Sequence, residues 1–356
     1  MLLKLEVLRT VPNMVVHWVD EKEIWSSHNY TLYLSRDEGI TFNKIADIRG
    51  SSFTYMLGKC RLLARAFRLG IRNLRKLESG TLLLIADRKI FRSENGEFKA
   101  VFHFRKGLGP LRKGWCEDDK WNCYLGEYFL NNKRDTPVNL LKSSDDGQTW
   151  DIIRSIHSIR HIHCVQYDPF WKKIWLGTGD RDSECSISFS KDEGQSWIKI
   201  GSGDQMFRTV SFLFTEDYVY WGSDAPTRQN YIYRYVRKSG DIQKLAAVDG
   251  PVNYSAILKN GKMLFATTAE GNSEGKSAEW DRKAHIWASE DGTHWDDIVS
   301  WEKDVYPYEL GKGRVYFPHG RFRDNIYFTT EALKKVDETL FCAKLCRKAN
   351  DAENEK

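Results

Sequence analysis

Hydrophobic and polar residues alternate along most of the chain, in short runs that meet at turns rich in glycine and acidic residues. The turns are preceded by runs such as HIWAS, SISFS and VNLLKS and followed by runs such as WDIIRSI, WIKIGS and FNKIADI. Alternation with a period of two places successive side chains on opposite faces of a strand, and two such runs around a Gly/Asp turn predict a β-hairpin. A further short apolar run, such as KIWLGTGD or GTLLLIAD, lies upstream. The pattern therefore predicts repeated units of three to four antiparallel strands.

The turns recur at a steady spacing. Ser/Asp/Gly markers, some complete and some weak, lie near residues 35, 93, 143, 190, 239, 289 and 337, at intervals of 58, 50, 47, 49, 50 and 48. Several strands in each repeat of about 50 residues are typical of a β-propeller, in which every repeat forms one blade. We predict an all-β propeller of seven four-stranded antiparallel blades, or six if the first and last markers share a closing blade. It should form a single domain over 1–345, followed by a polar tail at 346–356.

The best-formed markers share a Ser-x-Asp-x-Gly-x-Ser/Thr-Trp pattern. They are SSDDGQTW at 143–150 and SKDEGQSW at 190–197, with SRDEGITF at 35–42 and the shorter SEDGTHW at 289–295. They resemble the Asp-box, or bacterial neuraminidase repeat, of sialidases and related propellers. The resemblance implies turns between the two outer strands of the blades, at the rim away from an active site. The residue types agree with a structural role, because Asp accepts hydrogen bonds from turn amides, Gly adopts positive φ and Trp buries apolar area.

Composition narrows the functional classes. A net charge of +5 and a pI near 8.6 are too mild to indicate nucleic-acid binding. No apolar run approaches the ~18 residues of a membrane span, and the first residues contain no signal-peptide core. The seven cysteines lack metal-ligand spacing, so we expect free thiols and a cytoplasmic protein. A Cys116–Cys123 disulfide is the alternative if the protein is exported.

One segment is distinctly basic. Residues 59–76 include seven Lys or Arg and no acid. Leu63, Phe67, Ile71 and Leu74 match one face of a helix. A basic amphipathic helix could bind a membrane surface or nucleic acid, but a basic strand or loop that faces an acidic ligand explains the segment as well.

Candidate chemistry lies upstream of the markers, where inner strands begin or end. His161 and His163 alternate and should share a strand face. Polar residues follow or open the inner strands of several predicted blades. They are Glu127, Tyr128, Asn131, Arg134, Asp180, Asp182, Glu184, Gln205, Arg208, Asp224, Arg228 and Asn230. Arg suits a carboxylate and Asn or Asp suits hydroxyl groups, so the set favours an acidic, polyhydroxylated ligand.

The sialidase resemblance implies particular roles. IRNLRKLESGTLLLIAD is similar to the segment that provides the first arginine of sialidases, which implies Arg72 or Arg68 here, although Asn73-Leu74 stands where sialidases have Ile-Pro. Arg208 is a second arginine, and no third one is evident in a matching context. Sialidases use a tyrosine nucleophile assisted by a glutamate, and VNYSAILKNGKMLFATTAEG offers Tyr254 and Glu270.

A second enzymatic interpretation resembles uronate lyases on propeller scaffolds. It takes His161 or His163 as the base, Tyr128 as the acid and Arg134 or Arg208 as the carboxylate partner; Glu127 is a further catalytic candidate. Residues 60–330 also resemble uncharacterised glycosyl-hydrolase-like members of the sialidase-like superfamily, a resemblance that indicates no reaction.

Three functional classes stay open. They are an enzyme acting on an anionic glycan, as hydrolase or lyase, a non-catalytic glycan-binding propeller, and a protein-assembly scaffold. We expect an acidic oligosaccharide or polysaccharide as the partner, with no nucleic acid, no membrane span, no metal and no cofactor. The oligomeric state is open.

Overall fold

The chain forms seven antiparallel sheets in sequence. The computed structural model describes residues 3–48, 52–270, 282–321 and 323–347. Each sheet has four strands as its regular core, which confirms the seven-bladed all-β propeller and shows that six blades was wrong. From the inner to the outer edge, the strands are Val15–Val19, Ile24–His28, Thr31–Ser35 and Asn43–Asp47 (blade 1); Asn73–Lys76, Leu82–Ala86, Lys89–Glu94 and Glu97–His103 (blade 2); Trp115–Glu117, Cys123–Gly126, Val138–Ser143 and Asp151–Ile156 (blade 3); His161–Asp168, Lys173–Gly179, Ser186–Ser190 and Ile198–Ser202 (blade 4); Phe212–Phe214, Tyr218–Gly222, Asn230–Val236 and Ile242–Val248 (blade 5); Val252–Ile257, Met263–Thr267, Lys283–Ser289 and Asp296–Glu302 (blade 6); Arg314–Tyr316, Ile326–Glu331, Thr339–Arg347 and Leu3–Pro12 (blade 7).

The outermost strand is the least buried strand of every blade. In blade 4, His161–Asp168 is mostly buried, whereas Ile198–Ser202 is exposed or half-buried. Large apolar side chains pack between neighbouring blades, as Trp175 of blade 4 does with Trp221 and Phe212 of blade 5. Burying such aromatic surface is the main stabilising contribution between sheets.

Antiparallel pairing assigns the connections to two ends of the ring. The turns between first and second strands and between third and fourth strands lie at one end, which we call the lower mouth. The turns between second and third strands, and the loops between blades, lie at the other end, which we call the upper mouth.

The Ser-x-Asp-x-Gly turns lie at the lower mouth and are held by their own side chains. Ser190 Oγ donates to Asp192 Oδ1 at 2.8 Å and accepts from the Gly194 amide at 2.8 Å. The Ser196 amide donates to Asp192 Oδ1 at 2.8 Å, and Gly194 has φ +91°, which favours glycine. The Trp197 ring packs on apolar residues of blades 3 and 4, so the turn is structural.

The two ends of the chain complete blade 7 together. Leu3–Pro12 pairs antiparallel with Thr339–Arg347 and forms the outermost strand. The last marker, near residue 337, was wrongly predicted as a turn between the third and fourth strands. Residues 332–338 instead connect the second and third strands of this blade, at the upper mouth. The last strand ends at Arg347, past the boundary we expected at 345. In addition, His319–Gly320 runs parallel to Val15–Val19 at the inner edge of blade 1.

Two short helices, Ser52–Gly58 and Arg61–Phe67, connect blades 1 and 2. The predicted helical face was wrong, because the helix ends at Phe67 and Arg68 follows with φ 53°. Ile71 lies beyond the helix and Leu74 in the next strand. Leu63 and Phe67 are 37% and 59% exposed.

The buried face of the second helix is polar because it docks on blades 6 and 7. Arg65 Nη1 lies 2.6 Å from Asp304 Oδ2, and its Nε donates to the Leu310 carbonyl at 2.6 Å. Arg61 Nε lies 2.8 Å from Asp337 Oδ2. These ion pairs, together with the burial of Ala64, hold the helix beside the upper mouth.

All seven cysteines are free thiols, and five of them are buried. Cys116 and Cys123 lie on paired strands of blade 3 without a disulfide. Among the described residues, no helix has the length and apolar character needed to cross a membrane.

Candidate functional site

The upper mouth contains a cavity of about 250 Å³. This is slightly below the roughly 300–1,000 Å³ of most small-molecule sites, so it suits a ligand of about one sugar ring. Basic side chains outnumber acidic ones in the lining, which favours an anionic ligand. The charged residues of the lining are Arg61, Arg65, Arg68, Arg72, Arg112, Lys312 and Arg314 against Glu309, Glu331 and Glu338.

Three arginines of this lining converge from different blades. Arg72 and Arg112 lie in the loops before the first strands of blades 2 and 3, and Arg314 opens the first strand of blade 7. Burial lowers the pKa of Arg72 and of Arg112, and the nearby Tyr316 and Glu331 oppose this shift in both. Buried Nε atoms of Arg72 and Arg314 lack a hydrogen-bond partner among the described residues. A buried donor without a partner costs about 1–3 kcal/mol, so these groups are suited to bind a ligand oxygen.

Tyr316 lies at the centre of this group. Its hydroxyl donates to the Glu331 carboxylate, and Arg314 Nη1 lies 3.5 Å from the same hydroxyl. The Arg112 guanidinium stands 4.4 Å from the centre of the Tyr316 ring, and the Tyr254 ring lies 5.1 Å away. Burial and the charge of Glu331 raise the pKa of Tyr316. The phenol is therefore protonated at neutral pH, with a carboxylate placed to accept its proton.

A second cluster surrounds Asp180, which follows the second strand of blade 4 at the same mouth. Arg160 Nη1 lies 2.7 Å from Oδ2, and Arg208 Nη2 lies 3.0 Å from Oδ1. The Nε2 atoms of His161 and His163 each lie 3.3 Å from Oδ1. The alternation of the two histidines thus brings both rings to one carboxylate.

The protonation of this cluster follows from burial and charge. Burial alone raises the pKa of Asp180, but the donors of His161 and His163 and the charge of Arg208 outweigh it and hold that pKa well below its ordinary value. Burial lowers the pKa of His161. Asp180 is therefore a carboxylate at neutral pH.

Tyr128 joins the two clusters. It lines the cavity, and its ring stacks on His161 with centroids 4.0 Å apart. Lys312 also lies between them: it pairs with Glu270, and its pKa is lowered to about 7, first by burial and then by Arg314.

The structure brings most of the predicted residues to the upper mouth. Arg208 Nε approaches Asp224 Oδ2 at 3.4 Å, and Asn253 donates to Asp224 Oδ1 at 3.0 Å. The predicted residues that line the cavity or belong to the adjoining cluster are His161, His163, Tyr128, Tyr254, Arg72, Arg208, Asp180, Asp224 and Glu270.

Two predicted residues are engaged elsewhere. Glu127 accepts a hydrogen bond from the Asn139 amide at 2.9 Å and does not line the cavity. Arg134 Nε lies 2.7 Å from Glu184 Oε1 and is not in the lining either. Each side chain therefore supports a strand or loop of its own neighbourhood.

Gln205 and Asn230 support loops. Gln205 Nε2 donates to the Asp180 carbonyl at 2.9 Å and to Asp182 Oδ1 at 2.8 Å, so it positions the segment that carries Asp180. Asn230 is fully buried and bonds the amide and the carbonyl of Ala225 at 2.8 Å.

The cavity residues missed from the sequence include Arg112, Lys312, Arg314, Tyr316 and Glu331. Two of the arginines lie just before or at the start of a first strand, in the segments LRKGW and KGRVY. The position of these strands relative to the turn markers could have identified both arginines. Glu331 ends a strand of ordinary composition, IYFTTE, and no local signal marks it.

The second cluster contains residue types that bind metal ions. Ligand atoms of His161, His163 and Asp180 lie within 4.8 Å of one another, and these donor types suit a transition metal. However, Arg160 and Arg208 occupy both oxygens of Asp180, so a cation would have to displace a guanidinium group. The described residues therefore fit a carboxylate neutralised by arginine better than a metal ligand.

Comparisons with known proteins extend only to the fold. No family model matches the chain, and no curated protein matches it. Among solved structures, the WD40 β-propeller domain of Doa1 has a TM-score of 0.57 at 13% identity, over 96% of this chain and 97% of that one. YCF48 bound to D1 peptide has a TM-score of 0.54 at 11% identity, over 96% of each chain. Oligogalacturonate lyase in complex with manganese has a TM-score of 0.58 at 10% identity, over 98% of this chain and 97% of that one. At these identities the likeness establishes the propeller fold and no function.

Proposed function

We propose that the upper mouth binds an acidic sugar and hydrolyses its glycosidic bond, with Tyr316 as the nucleophile. The observation that carries the proposal is the hydrogen bond from Tyr316 to Glu331 within a group of three arginines. This arrangement supports a sialidase-like chemistry, although the residues differ from those that the sequence pattern suggested.

The arginines supply the binding part of the proposal. Arg72, Arg112 and Arg314 present guanidinium groups to one cavity, and guanidinium binds carboxylate through paired, charge-assisted hydrogen bonds. Asp224 and Glu270 at the same mouth can accept hydrogen bonds from sugar hydroxyl groups.

The reaction follows from the Tyr316 pair. In a sugar whose carboxylate is next to the anomeric carbon, a carboxylate nucleophile would be repelled, whereas a neutral phenol is not; sialidases use a tyrosine nucleophile in this way. Tyr316 Oη forms a bond to the anomeric carbon as its proton passes to Glu331, and the glycosidic C–O bond breaks. Lys312, whose pKa is about 7, donates a proton to the leaving oxygen. Water then attacks the anomeric carbon and gives a proton to the neutral Lys312, the tyrosyl–sugar bond breaks, and Glu331 returns its proton to Tyr316.

The geometry offers the hydrolase a bonded Tyr316–Glu331 pair, whereas the lyase alternative keeps only part of its predicted set. Arg134 is paired with Glu184 and does not reach the cavity. His161, His163 and Arg208 all lie against Asp180, although His161 Nε2 and Arg208 Nε have no hydrogen-bond partner among the described residues. A non-catalytic role is the second candidate, because one structural neighbour is bound to a peptide. Absence of a cofactor and a cytoplasmic location stay predictions.

The test is turnover with aryl glycosides of sialic acid and of hexuronic acids, and with oligogalacturonates. We expect release of the aryl alcohol or new reducing ends without an unsaturated product. Tyr316→Phe and Glu331→Gln should each lower kcat on the order of a hundredfold or more, because each removes the nucleophile or its base, while the acidic sugar still binds.

Tyr124→Phe is the matched control. Tyr124 is also buried and donates to a carboxylate, Asp118 Oδ2, at 3.0 Å, but it lies towards the lower mouth. Its variant should keep full activity. Undiminished turnover in Tyr316→Phe, or an unsaturated product from the wild type, would refute the hydrolase. Saturable binding of acidic sugars without any turnover would select the non-catalytic role.

A further inference from the structure

A second cavity opens at the lower mouth, at the other end of the propeller axis. Its volume is about 680 Å³. The lining includes Leu77, Glu78, Gly80 and Pro169, which belong to turns between first and second strands. Residues of first strands form the floor. The cavity is therefore separate in position from the proposed active site.

Arg75 lies in this cavity without a carboxylate bonded to it. Its Nη2 donates to the Trp115 carbonyl at 2.8 Å and to His319 Nδ1 at 3.2 Å. Its Nε is buried without a hydrogen-bond partner among the described residues. Burial lowers the pKa of Arg75, but a guanidinium stays protonated in proteins. The floor thus carries a positive charge with a free donor.

Lys113 adds a second cation to the same cavity. Its ammonium makes no hydrogen bond or ion pair with any residue in the described ranges. Burial lowers the pKa of Lys113 to about 7, and the charges of Arg75 and Arg112 act in the same direction. Two cations therefore face one cavity and destabilise each other in the absence of an anion.

The neighbouring histidine does not compensate. His319 Nε2 lies 3.1 Å from Asn73 Oδ1, while Nδ1 accepts from Arg75. This arrangement requires a neutral imidazole with its proton on Nε2. In agreement, burial and the nearby cations hold the pKa of His319 well below its ordinary value.

The acids of the lining contact groups other than Arg75 and Lys113. Asp20 accepts from Lys76 at 3.3 Å, and the Glu78 amide donates to Glu117 at 3.1 Å. Burial raises the pKa of Glu117 to about 7, so its negative charge is only partly present at neutral pH. In the part of the chain that the structure describes, none of the four acids of the lining, Asp20, Glu21, Glu78 and Glu117, forms an ion pair with Arg75 or Lys113.

We propose that the lower mouth is a second ligand site, which binds the phosphate or carboxylate group of a small anion between Arg75 and Lys113. Arg75 offers its free Nε and Lys113 its unbonded ammonium. The cavity is large enough to hold a metabolite of ordinary size behind the anionic group. The inference does not depend on the reaction at the upper mouth, since none of the residues that hold the anion lines that cavity.

The test is calorimetric titration of the full chain with inorganic phosphate and, separately, with acetate. We expect saturable binding of at least one of them, and the two arms separate a phosphate group from a carboxylate. Arg75→Met and Lys113→Met should each weaken binding at least tenfold, which is about 1.4 kcal/mol. Lys199→Met on the exposed outermost strand of blade 4 is the matched control and should leave affinity unchanged. Arg72→Met removes an arginine of the upper mouth and should leave the binding that depends on Arg75 and Lys113.

Affinity for acetate, which is fully ionised on both sides of neutral pH, should also fall as pH rises through about 7, because free Lys113 loses its proton there. The other groups that face Lys113 are Arg75, Arg112, His319 and Glu117. Ionisation of Glu117 near the same pH would also weaken anion binding, because it adds a negative charge. Glu117→Gln should therefore keep the part of the pH dependence that Lys113 causes. Adding Lys113→Met to Glu117→Gln should remove that part.

Three outcomes would overturn the proposal. They are no binding of either anion, equal affinity in the Arg75→Met/Lys113→Met double variant, and loss of binding in Arg72→Met alone. Because Arg75→Met could impair folding, Arg75→Lys and a thermal melt of each variant accompany the series. A folded Arg75→Lys protein that binds more tightly than Arg75→Met supports the charge-based site, and equal affinities of the two count against it.

Discussion

Replacing Asp180 by asparagine tests the electrostatic organisation of the upper mouth. The carboxylate receives Arg160 and Arg208 at 2.7 and 3.0 Å, and the two histidines at 3.3 Å. Asparagine keeps the shape and one acceptor oxygen but turns an NH₂ group towards the guanidinium groups. The change therefore removes the negative charge, which leaves Arg160 without its ion-pair partner and Arg208 with Asp224 alone.

The magnitude follows from burial. Breaking a buried ion pair by removing one partner costs about 3–5 kcal/mol. The Asp180 side chain keeps 11% exposure, so we expect the lower end, about 3 kcal/mol. An unfolding entropy of about 2.1 cal/mol/K per residue gives roughly 0.75 kcal/mol/K for 356 residues. The melting temperature should then fall by about 4 °C.

The pH dependence gives a second readout. The folded pKa of Asp180 lies below its unfolded value, so its stabilisation is present above the unfolded pKa near 4 and is lost as the pH falls below it. The difference in melting temperature between wild type and Asp180→Asn should be full at slightly alkaline pH, where an ordinary imidazole is neutral. It should shrink as the pH falls below about 4.

The assay is thermal unfolding followed by circular dichroism over a pH series. Asp249→Asn is the control, because Asp249 is exposed and its variant should melt with the wild type. Equal melting of Asp180→Asn and wild type at alkaline pH would refute the reasoning, as would a difference that does not diminish in acid.

Two further predictions concern the propeller itself. Trp197→Ala should lower the free energy of unfolding by about 3 kcal/mol, because it opens a cavity against blade 3. Binding at the upper mouth should be unchanged in the folded variant. Chemical denaturation and titration with an acidic sugar measure the two effects, and normal stability with lost binding would contradict the prediction. Arg237 and Asp168, joined by contacts of 2.6 and 3.0 Å, form a buried pair between blades 4 and 5, so Arg237→Met and Asp168→Asn should each cost about 3–5 kcal/mol. Their double variant should cost clearly less than the sum in a denaturation cycle, and strict additivity would show that the pair does not interact.

The blades could be predicted because their determinants are local in sequence. The four residues Ser190, Asp192, Gly194 and Ser196 bond to one another within one turn, so the turn is encoded in eight letters and repeats with the blade. Ring closure is different, since Leu3–Pro12 must pair with a strand at the other end of the chain. No turn lies between these strands, and the marker search therefore placed its last turn at 337, between the wrong strands.

The helix before blade 2 was misassigned for a related reason. Apolar periodicity identifies a buried face only where burial is apolar. Here Arg61 and Arg65 face the protein because acids of blades 6 and 7 receive them. These partners lie far along the chain, and periodicity contains no information about them.

The site shows the same division between local and distant information. Arg314 and Tyr316 are two residues apart on one strand and could have been recognised as sharing a face. Their partner could not, because Glu331 lies opposite Arg314 only in the register of the blade 7 strands. The chain between these strands includes His319–Gly320, which pairs with blade 1 instead of forming a tight hairpin. The register of two strands can be predicted from sequence when a tight turn of known length joins them. No such turn joins these two strands, so no local pattern predicts the Tyr316–Glu331 pair. The pair on which the proposed chemistry depends is formed only when the ring is assembled.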